Sequence, residues 1–332
     1  MPSMLRTLEA RHDRFALHTP FRIARGAKTA ANVVTVTIAQ DGHIGRGEGV
    51  PYPRYGESVA SALDEIAHVR DAIEGGADRE DLLGLLQPGA GRNAIDCALW
   101  DLEAKRSGRA VATMIDGPDL TSMASALTVV IDTPAEMARA AALIATAPLI
   151  KVKVDHADPA AQLRAVRAVA HNATMIVDPN ESWDRTLLEA MQPLLVELRV
   201  ALLEQPVPAS VDAWLADFSP AVPICADESI HTADDLDRVA ARYQCVNVKL
   251  DKAGGLTAAL ALAHGARARG LGVMTGCMVS SSLSIAPALH VAMLSDFVDL
   301  DGPLWLAEDR VGGVTDVGGI LSPPPPGFWG TP

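Results

Sequence analysis

Short apolar stretches alternate with helix-like segments through the second half of the chain, and their spacing is even. The stretch 149–155, LIKVKVD, sets Ile150, Val152 and Val154 against lysines on the opposite face, which is the period-two alternation of a β-strand. Similar stretches recur every 22 to 26 residues between 124 and 301. They end near Thr128, Lys153, Asp178, Glu204, Asp227, Lys249, Thr275 and Asp299.

A segment with helical spacing of apolar residues follows each of the first seven strands, for example at 158–171, 232–243 and 256–269. No helix fits after the eighth strand, because Gly302-Pro303 ends the pattern. This arrangement predicts an α/β fold, a modified TIM barrel of the form (β/α)7β. A doubly wound sheet is the alternative, but such a sheet rarely keeps so even a period.

The residues before this repeat mix strands with helices. Strands are predicted at 33–39 and 44–50, joined by a turn at Asp41-Gly42. Helices are predicted at 58–74 and 92–107. This part of the chain is therefore expected to form an α+β unit separate from the barrel.

Three regions follow from these patterns. We predict an N-terminal α+β capping domain at 1–117 and a barrel that holds the active site at 118–304. The remaining segment, 305–332, contains a run of four prolines and has no βα signature. We expect it to pack back on the capping domain.

Composition and charge narrow the class of partner. Hydrophobic residues make up 49% of the 332 residues and aromatic residues only 4%, which suits helices packed on a parallel sheet. The net charge of −13 disfavours nucleic acid and anionic membranes, although local cations can still bind an anionic small molecule. No apolar leader or membrane span is evident, and four cysteines without a C-x-x-C pair predict reduced thiols in a cytoplasmic protein. The sequence leaves a homo-oligomer open.

Charged residues close several of the predicted barrel strands. In a βα barrel these strand ends meet at the active-site face. Any one of them could cap a helix, but a run on consecutive strands at matching depth indicates a site. The carboxylates of Asp178, Glu204 and Asp227, with no histidine beside them, favour a hard cation such as Mg²⁺. Lys153 and Lys249 flank them, which suits removal and return of a proton α to a carboxylate.

The motifs around these residues can be compared with known families. They are KVK at 151–153, VDPNESW at 177–183, LEQP at 203–206, CADES at 225–229, VNVKLDKAGGL at 246–256, GCM at 276–278 and DLDGP at 299–303. The set resembles the muconate-lactonizing branch of the enolase superfamily, and within it the dipeptide epimerases that act on L-Ala-D/L-Glu. A lysine base combined with Mg²⁺ is an established feature of that superfamily. The likeness extends into the N-terminal part, at HTPFRIARGAK and GEGVPYPRYGES.

The resemblance implies a Mg²⁺-dependent epimerase of dipeptides that acts at the α-carbon of the C-terminal residue. It implies one Mg²⁺ per active site, with Asp178, Glu204 and Asp227 as ligands. Lys153 would serve the S centre and Lys249 the R centre, in a two-lysine 1,1-proton transfer through an enediolate. A role in cell-wall peptide metabolism would follow.

The same resemblance implies substrate contacts. Lys151 would lie near the substrate carboxylate and help keep Lys153 neutral by repulsion between like charges. Asp299 and Asp301 would receive the ammonium group of a dipeptide, and Thr128 is also predicted to bind substrate. Two positions depart from the wider pattern. Lys28 stands where the dipeptide epimerases place an arginine for the substrate's side-chain carboxylate, and Val279 stands where the branch often has an acidic residue.

Other functions fit parts of this pattern. An o-succinylbenzoate synthase or a muconate cycloisomerase would share the metal and the lysines, but neither substrate offers an amine to Asp299 and Asp301. A binding protein without catalytic activity would not need both lysines, and an interaction scaffold would need neither. Asp301 could instead only cap the turn into Gly302-Pro303. Lys252 and Glu228, beside the predicted catalytic positions, are interpreted as structural.

Overall fold

The structure is a computed structural model and describes residues 6–332. Its N-terminal part is an antiparallel sheet with the strand order β1-β2-β3, covered by helices. The strands are β1 (Thr7–Ile23), β2 (Gly26–Gln40) and β3 (His43–Gly49). The helices are α1 (Val59–Glu74), α2 (Arg79–Leu85), α3 (Ala90–Ser107) and α4 (Val111–Met114).

The predicted strands at 33–39 and 44–50 correspond to β2 and β3, and the predicted helices correspond to α1 and α3. Strand β1 was not predicted. Leu8 is its only fully buried residue, so the sequence carries no apolar face that would reveal a strand. Backbone pairing with β2 holds β1 in place, from Thr7 opposite Ala39 to Ala16 opposite Ala30.

Strand β3 lies directly against α3 because every second residue from Gly45 to Gly49 is glycine, so one face of the strand carries no side chains. A Cβ atom at Gly47 would lie 2.1 Å from the carbonyl oxygen of Ala94, and Gly45 and Gly49 are equally close to α3. No larger side chain fits at this contact. The close approach places the α3 surface and the end of β3 beside the barrel.

The barrel is a single sheet of eight parallel strands in chain order. A short strand, β4 (Met123–Ala124), precedes it. The barrel strands are β5 (Leu127–Val129), β6 (Leu149–Lys153), β7 (Thr174–Asp178), β8 (Val200–Glu204), β9 (Ile224–Ala226), β10 (Cys245–Val248), β11 (Gly272–Gly276) and β12 (Phe297–Asp299). Beside β5, the amide of Ala126 donates to Val298 of β12 at 2.8 Å, which closes the ring. The predicted (β/α)7β barrel is confirmed.

The barrel helices are α5 (Pro134–Leu143), α6 (Pro159–Arg167), α7 (Arg185–Glu197), α8 (Leu236–Ala240), α9 (Leu250–Ala253), α10 (Leu256–Ala268) and α11 (Ser282–Ala292). The helical segment predicted after β8 is present as the 3₁₀ helix Ala209–Asp217 and not as an α-helix. Within it, Val211 leaves helical backbone at φ −132°. Among the described residues, no helix is long and apolar enough to span a membrane.

Alternation along the strands decides which side chains reach the centre of the barrel. Leu149, Ile176 and Leu202 form one interior apolar layer together with the cysteines of β9 and β10. Two residues further along the same faces lie Lys151, Asp178 and Glu204, because successive side chains in a strand point to opposite sides. The intervening residues, such as Val152 and Val177, pack outward against the helices. Inside the barrel, the apolar layer therefore lies directly beneath a layer of charged side chains at the C-terminal ends of the strands.

The C-terminal segment contacts both parts of the molecule. Strands β13 (Thr315–Val317) and β14 (Ile320–Ser322) form a hairpin that pairs with β4. Further on, the indole of Trp329 donates to the carbonyls of Arg46 and Cys97 at 2.9 and 3.2 Å. These contacts lie on the N-terminal part. The division of the chain into three regions at 117 and 304 stays a prediction.

Candidate active site

A cavity of about 470 Å³ opens over the C-terminal ends of the barrel strands. The N-terminal part covers it with two segments, the β1–β2 turn and the residues Tyr52 to Tyr55. Eight of the ten predicted site residues line it: Lys28, Thr128, Lys151, Lys153, Asp227, Lys249, Asp299 and Asp301. The other two, Asp178 and Glu204, lie beneath its surface and are fully buried.

Lys151 is at the centre of the charged layer. Its Nζ lies 2.6 Å from Glu204, 2.8 Å from Asp299 and 3.1 Å from Asp178. Burial alone would lower the pKa of this lysine, but the carboxylates of Asp299, Glu204 and Asp178 outweigh it and raise the pKa well above its usual range. Lys151 is therefore a cation among three buried carboxyl groups.

The carboxylates respond differently to the same environment. Burial raises the pKa of Glu204, and the neighbouring charge of Asp178 adds to that effect. For Asp178, the ammonium groups of Lys153 and Lys151 outweigh burial and hold the pKa at about 2. For Asp227, burial is outweighed by Lys249 and Lys252, and the pKa lies well below its usual range. Asp178 and Asp227 are thus anionic throughout the neutral range.

The two predicted bases lie on opposite sides of the barrel. Lys153 ends β6 and contacts Asp178 Oδ2, whereas Lys249 follows β10 and its Nζ lies 2.7 Å from Asp227 Oδ2. Four positions in the ring of eight strands separate β6 from β10. Burial opposes the charge of Lys249, but Asp227 and Glu204 outweigh it and raise its pKa. A planar group held between the strands would have one lysine at each face.

The donor set fits a hard cation, although the described residues contain no preformed cluster of three His, Cys, Asp or Glu side chains around one point. Each predicted ligand is an oxygen donor, the type that Mg²⁺ prefers. Two buried oxygens without a hydrogen-bond partner lie beside these ligands, namely Asp299 Oδ1 and Asn180 Oδ1. Such oxygens are costly unless a cation is near. The position taken by the ammonium of Lys151 shows that positive charge is stabilised there.

Asp299 and Asp301 face the cavity, and Leu300 between them is buried on the other side, as alternation predicts. Asp301 Oδ2 accepts from the amide of Thr128 at 2.9 Å and from the indole of Trp305 at 3.2 Å. Burial, and then the charge of Asp299, raise the pKa of Asp301 to about 6. One oxygen of Asp301 therefore has a structural role, although the side chain makes no capping hydrogen bond at the turn into Gly302-Pro303. The carboxylate still lines the cavity.

Lys28 lies at the outer wall. Its Nζ is 4.5 Å from the centre of the Tyr52 ring, and within residues 6–332 it forms no ion pair. Burial lowers the pKa of Lys28, and the charges of Arg25 and Lys249 lower it further. A mostly buried cation without an anionic partner is suited to an anionic ligand group.

Sequence reasoning did not identify several polar residues that orient the charged layer. Asn247 donates to Glu204 Oε1 at 2.8 Å, and Gln205 accepts from the amide of Asp227 at 2.9 Å. Lys252, interpreted as structural, donates to Asp227 Oδ1 at 2.6 Å and to the carbonyl of Asn247 at 3.0 Å. Asn247 could have been found, because alternation in VNVK puts it on the same face as Lys249.

Two family descriptions match the chain. Residues 5–116 match the N-terminal domain of mandelate racemase and muconate lactonizing enzyme, and residues 135–327 match the enolase C-terminal domain-like family. The chain belongs to the enolase superfamily. The resemblance seen in the sequence is confirmed.

Individual relatives agree with this assignment. The chain is 48% identical over 307 residues to the L-Ala-D/L-Glu epimerase of Escherichia coli K12, covering 92% of this chain and 96% of the relative. It is 42% identical over 300 residues to an N-acetyl-D-glutamate racemase of a Pseudoalteromonas species, covering 90% and 95%.

Solved structures of relatives hold ligands. An enolase family member from Agrobacterium tumefaciens with homology to dipeptide epimerases, with bound sodium and L-Ala-L-Glu, superposes with a TM-score of 0.96 at 46% identity, covering 98% of this chain and 100% of that one. A dipeptide epimerase from Cytophaga hutchinsonii, complexed with Mg and D-Ala-L-Val, has a TM-score of 0.91 at 29% identity, covering 97% and 94%. Members of the superfamily close to this chain therefore bind Mg and dipeptides.

Proposed function

We propose that this protein is an isomerase that epimerises dipeptides of the L-Ala-D/L-Glu type at the α-carbon of the C-terminal residue. The observation that carries the proposal is the pair Lys153 and Lys249, placed across the barrel from one another at a layer of buried carboxylates. Proton removal at one face of a planar intermediate and delivery at the other inverts a stereocentre. The names of the relatives agree with this chemistry.

Asp178, Glu204 and Asp227 would hold one Mg²⁺ per site. When bound, the metal supplies positive charge that stabilises the negative charge developing on the substrate carboxylate as the α-proton leaves. Lys151, already a cation beside Asp178 and Glu204, would bind the same substrate carboxylate. Together these charges lower the cost of forming an enediolate.

Each lysine then has one task. Lys153 exchanges a proton with the α-carbon of one stereoisomer, and Lys249 does so on the opposite face for the other. Both ammonium groups now pair with carboxylates, at Asp178 and Asp227. A lysine acts as a base only after it loses its proton. If Asp178 and Asp227 bind Mg²⁺, they stabilise the two ammonium groups less, which favours the neutral amines.

The two ends of the dipeptide would be read by opposite charges. Asp299 Oδ1, buried and without a hydrogen-bond partner, and the carboxylate of Asp301 would receive the amino-terminal ammonium. Lys28 would contact the glutamate end, while Thr128, whose amide donates to Asp301, would lie at the amino-terminal end. A zwitterionic, acidic dipeptide matches this charge pattern better than the substrates of a succinylbenzoate synthase or a muconate cycloisomerase, which lack the amine.

Racemisation of N-acetylglutamate is a second candidate. The Pseudoalteromonas relative carries that name, and Asp301 already uses one oxygen to accept from Thr128 and Trp305. An N-acetyl group has no charge for two carboxylates to bind. The acidic pair therefore favours the dipeptide, and the relative keeps the alternative open.

One experiment separates the candidates. The protein with Mg²⁺ is incubated in D₂O with L-Ala-L-Glu, L-Ala-D-Glu and N-acetyl-D-glutamate, and deuterium at the α-carbon is followed by mass spectrometry. Deuterium gain with inversion in both dipeptides supports the proposal, whereas gain in N-acetylglutamate alone supports the second candidate. No exchange in any of the three would refute both. A cytoplasmic location stays a prediction from the thiols.

A further inference from the structure

The loop after β7 passes through two left-handed residues just behind Asp178. Asn180 has φ 47° and Glu181 has φ 66°, a region that residues other than glycine rarely occupy. Such a conformation persists only where the surroundings hold it. The contacts of this turn therefore indicate which interactions stabilise it.

The turn directs Asn180 back onto the predicted metal ligand. The amide of Asn180 donates to Asp178 Oδ1 at 2.8 Å, and its side-chain nitrogen donates to Asp178 Oδ2 at 3.2 Å. Both oxygens of the carboxylate are thus oriented by one residue. Without the left-handed turn, Asn180 could not reach both of them.

The side chain of Glu181 holds the turn from the other side, although it points away from Asp178. Its carboxylate accepts two bonds of 2.9 Å from Arg54 and one of 3.2 Å from Arg25. The amide of Ala209 donates to it at 2.9 Å as well. Arg25 also donates to the carbonyl of Asn180 at 2.9 Å. The carboxylate is only 7% exposed, so these charge-assisted contacts are shielded from water.

Both arginines belong to the N-terminal part of the chain. Arg25 lies in the β1–β2 turn, and Arg54 lies in the covering segment between β3 and α1. The segments that cover the cavity are therefore linked through one glutamate to the backbone that orients Asp178.

We propose that Glu181 is a positioning residue through which the N-terminal part prepares the carboxylate of Asp178 for a divalent cation. The inference rests on the proposed metal site. It assigns to Arg54 and Arg25 an effect on metal affinity, in addition to covering the substrate. Partners that orient metal ligands in this way commonly change affinity by about 10-fold or more when removed.

The test uses Mn²⁺ as the probe, because its binding to the folded protein can be followed by electron paramagnetic resonance without any substrate. The variants are Glu181→Gln, which keeps the shape of the side chain and removes its charge, Arg54→Gln, and the double variant. Arg22→Gln is the matched control, because Arg22 comes from the same strand as the β1–β2 turn and pairs with Asp132 of the barrel at 3.3 Å, away from Glu181. Thermal unfolding checks that each variant is folded.

We expect Glu181→Gln and Arg54→Gln each to raise the Kd for Mn²⁺ about 10-fold. The double variant should be no worse than Glu181→Gln alone, because both changes break the same link. The control should bind like wild type. With excess Mg²⁺ the kcat of the single variants should recover, while thermal unfolding without metal should match wild type, which a merely less stable fold would not show.

Two outcomes would overturn the inference. Unchanged Mn²⁺ affinity in Glu181→Gln removes the positioning role, and so do fully additive losses in the double variant. If Glu181→Gln does not fold, Arg54→Gln decides, because the Arg54 side chain is 40% exposed and tolerates replacement. If wild type binds no Mn²⁺, the proposed metal site itself is refuted. If wild type and Glu181→Gln bind Mn²⁺ equally tightly, only the inference about Glu181 is refuted.

Discussion

Replacing Asp301 with Asn tests whether the acidic pair binds the amino terminus of a dipeptide. Asn keeps a carbonyl oxygen that can accept from the Thr128 amide and from Trp305, so the structural role of Asp301 survives. What is lost is one negative charge at the cavity wall. The variant therefore separates charge from structure.

The size of the effect follows from the contact that is removed. A hydrogen bond between charged groups shielded from water is worth about 1.5–3 kcal/mol. Because about 1.4 kcal/mol is a factor of 10, the KM for L-Ala-L-Glu should rise roughly 10- to 100-fold in Asp301→Asn. Metal affinity should change little, because Asp301 has no contact with the predicted ligands.

The assay compares the dipeptide with its N-acetylated form in wild type and variant. Acetylation should greatly reduce the kcat/KM of wild type and reduce that of Asp301→Asn much less. Asp296→Asn is a matched control, since Asp296 precedes the same strand at its opposite end and also accepts from a backbone amide, that of Val273, at 2.9 Å. Equal sensitivity of wild type and Asp301→Asn to acetylation would refute amine recognition and leave Asp301 with only its structural bonds to Thr128 and Trp305.

The pH dependence gives an independent check. The pKa of Asp301 is raised to about 6, so the side chain is anionic above that pH and neutral below it. A neutral side chain cannot attract an ammonium group, and the KM of wild type should therefore rise as pH falls through about 6. Asp301→Asn should lack this component of the profile. The same inflection in both proteins would assign it to another group.

Four further predictions follow from the structure. Lys153→Ala and Lys249→Ala should each abolish epimerisation, yet each should still exchange the α-hydrogen of one stereoisomer in D₂O; exchange of both isomers at wild-type rates would remove the two-base mechanism. Exhaustive chelation of wild type should end turnover, and activity that survives it would exclude a required metal. Lys28→Ala should impair dipeptides ending in Glu more than those ending in a neutral residue, and an equal loss would return Lys28 to a structural role. In urea titrations, Gly47→Ala should lower the free energy of unfolding by about 1–3 kcal/mol, because its Cβ would overlap α3. Gly84→Ala should raise it by about 0.5–1 kcal/mol, because nothing lies within 4 Å of the added Cβ and alanine favours the helix.

The barrel and its charged layer could be predicted from the sequence because both depend on a local rule. Successive side chains of a strand point to opposite faces. The side chains of Leu149, Lys151 and Lys153 therefore share one face wherever the strand lies in the sheet. Parallel strands connected by helices bring their C-terminal ends to one side of the sheet. The spacing of charged strand ends therefore indicated a common site before any distance was known.

Strand β1 and the 3₁₀ segment after β8 are where this local reasoning failed. β1 has no buried face, and its extended form comes from pairing with β2, a partner that the pattern of β1 alone does not reveal. After β8, helical spacing is present, but the backbone is interrupted at Val211 and forms a 3₁₀ helix. Periodicity alone indicates neither the pairing partner of β1 nor the type of helix after β8.

The sequence by itself determined the fold class, the barrel register and the residue types at the strand ends. Only the tertiary structure decided that Lys151 would lie among three carboxylates, and that Arg25 and Arg54 would reach Glu181 from a distant part of the chain. The reason is that charge pairing depends on distances in space, and these depend on how the N-terminal part packs on the barrel. Periodicity cannot relate Arg54 to Glu181, because they are 127 positions apart in the chain, whereas the folded molecule joins them at 2.9 Å.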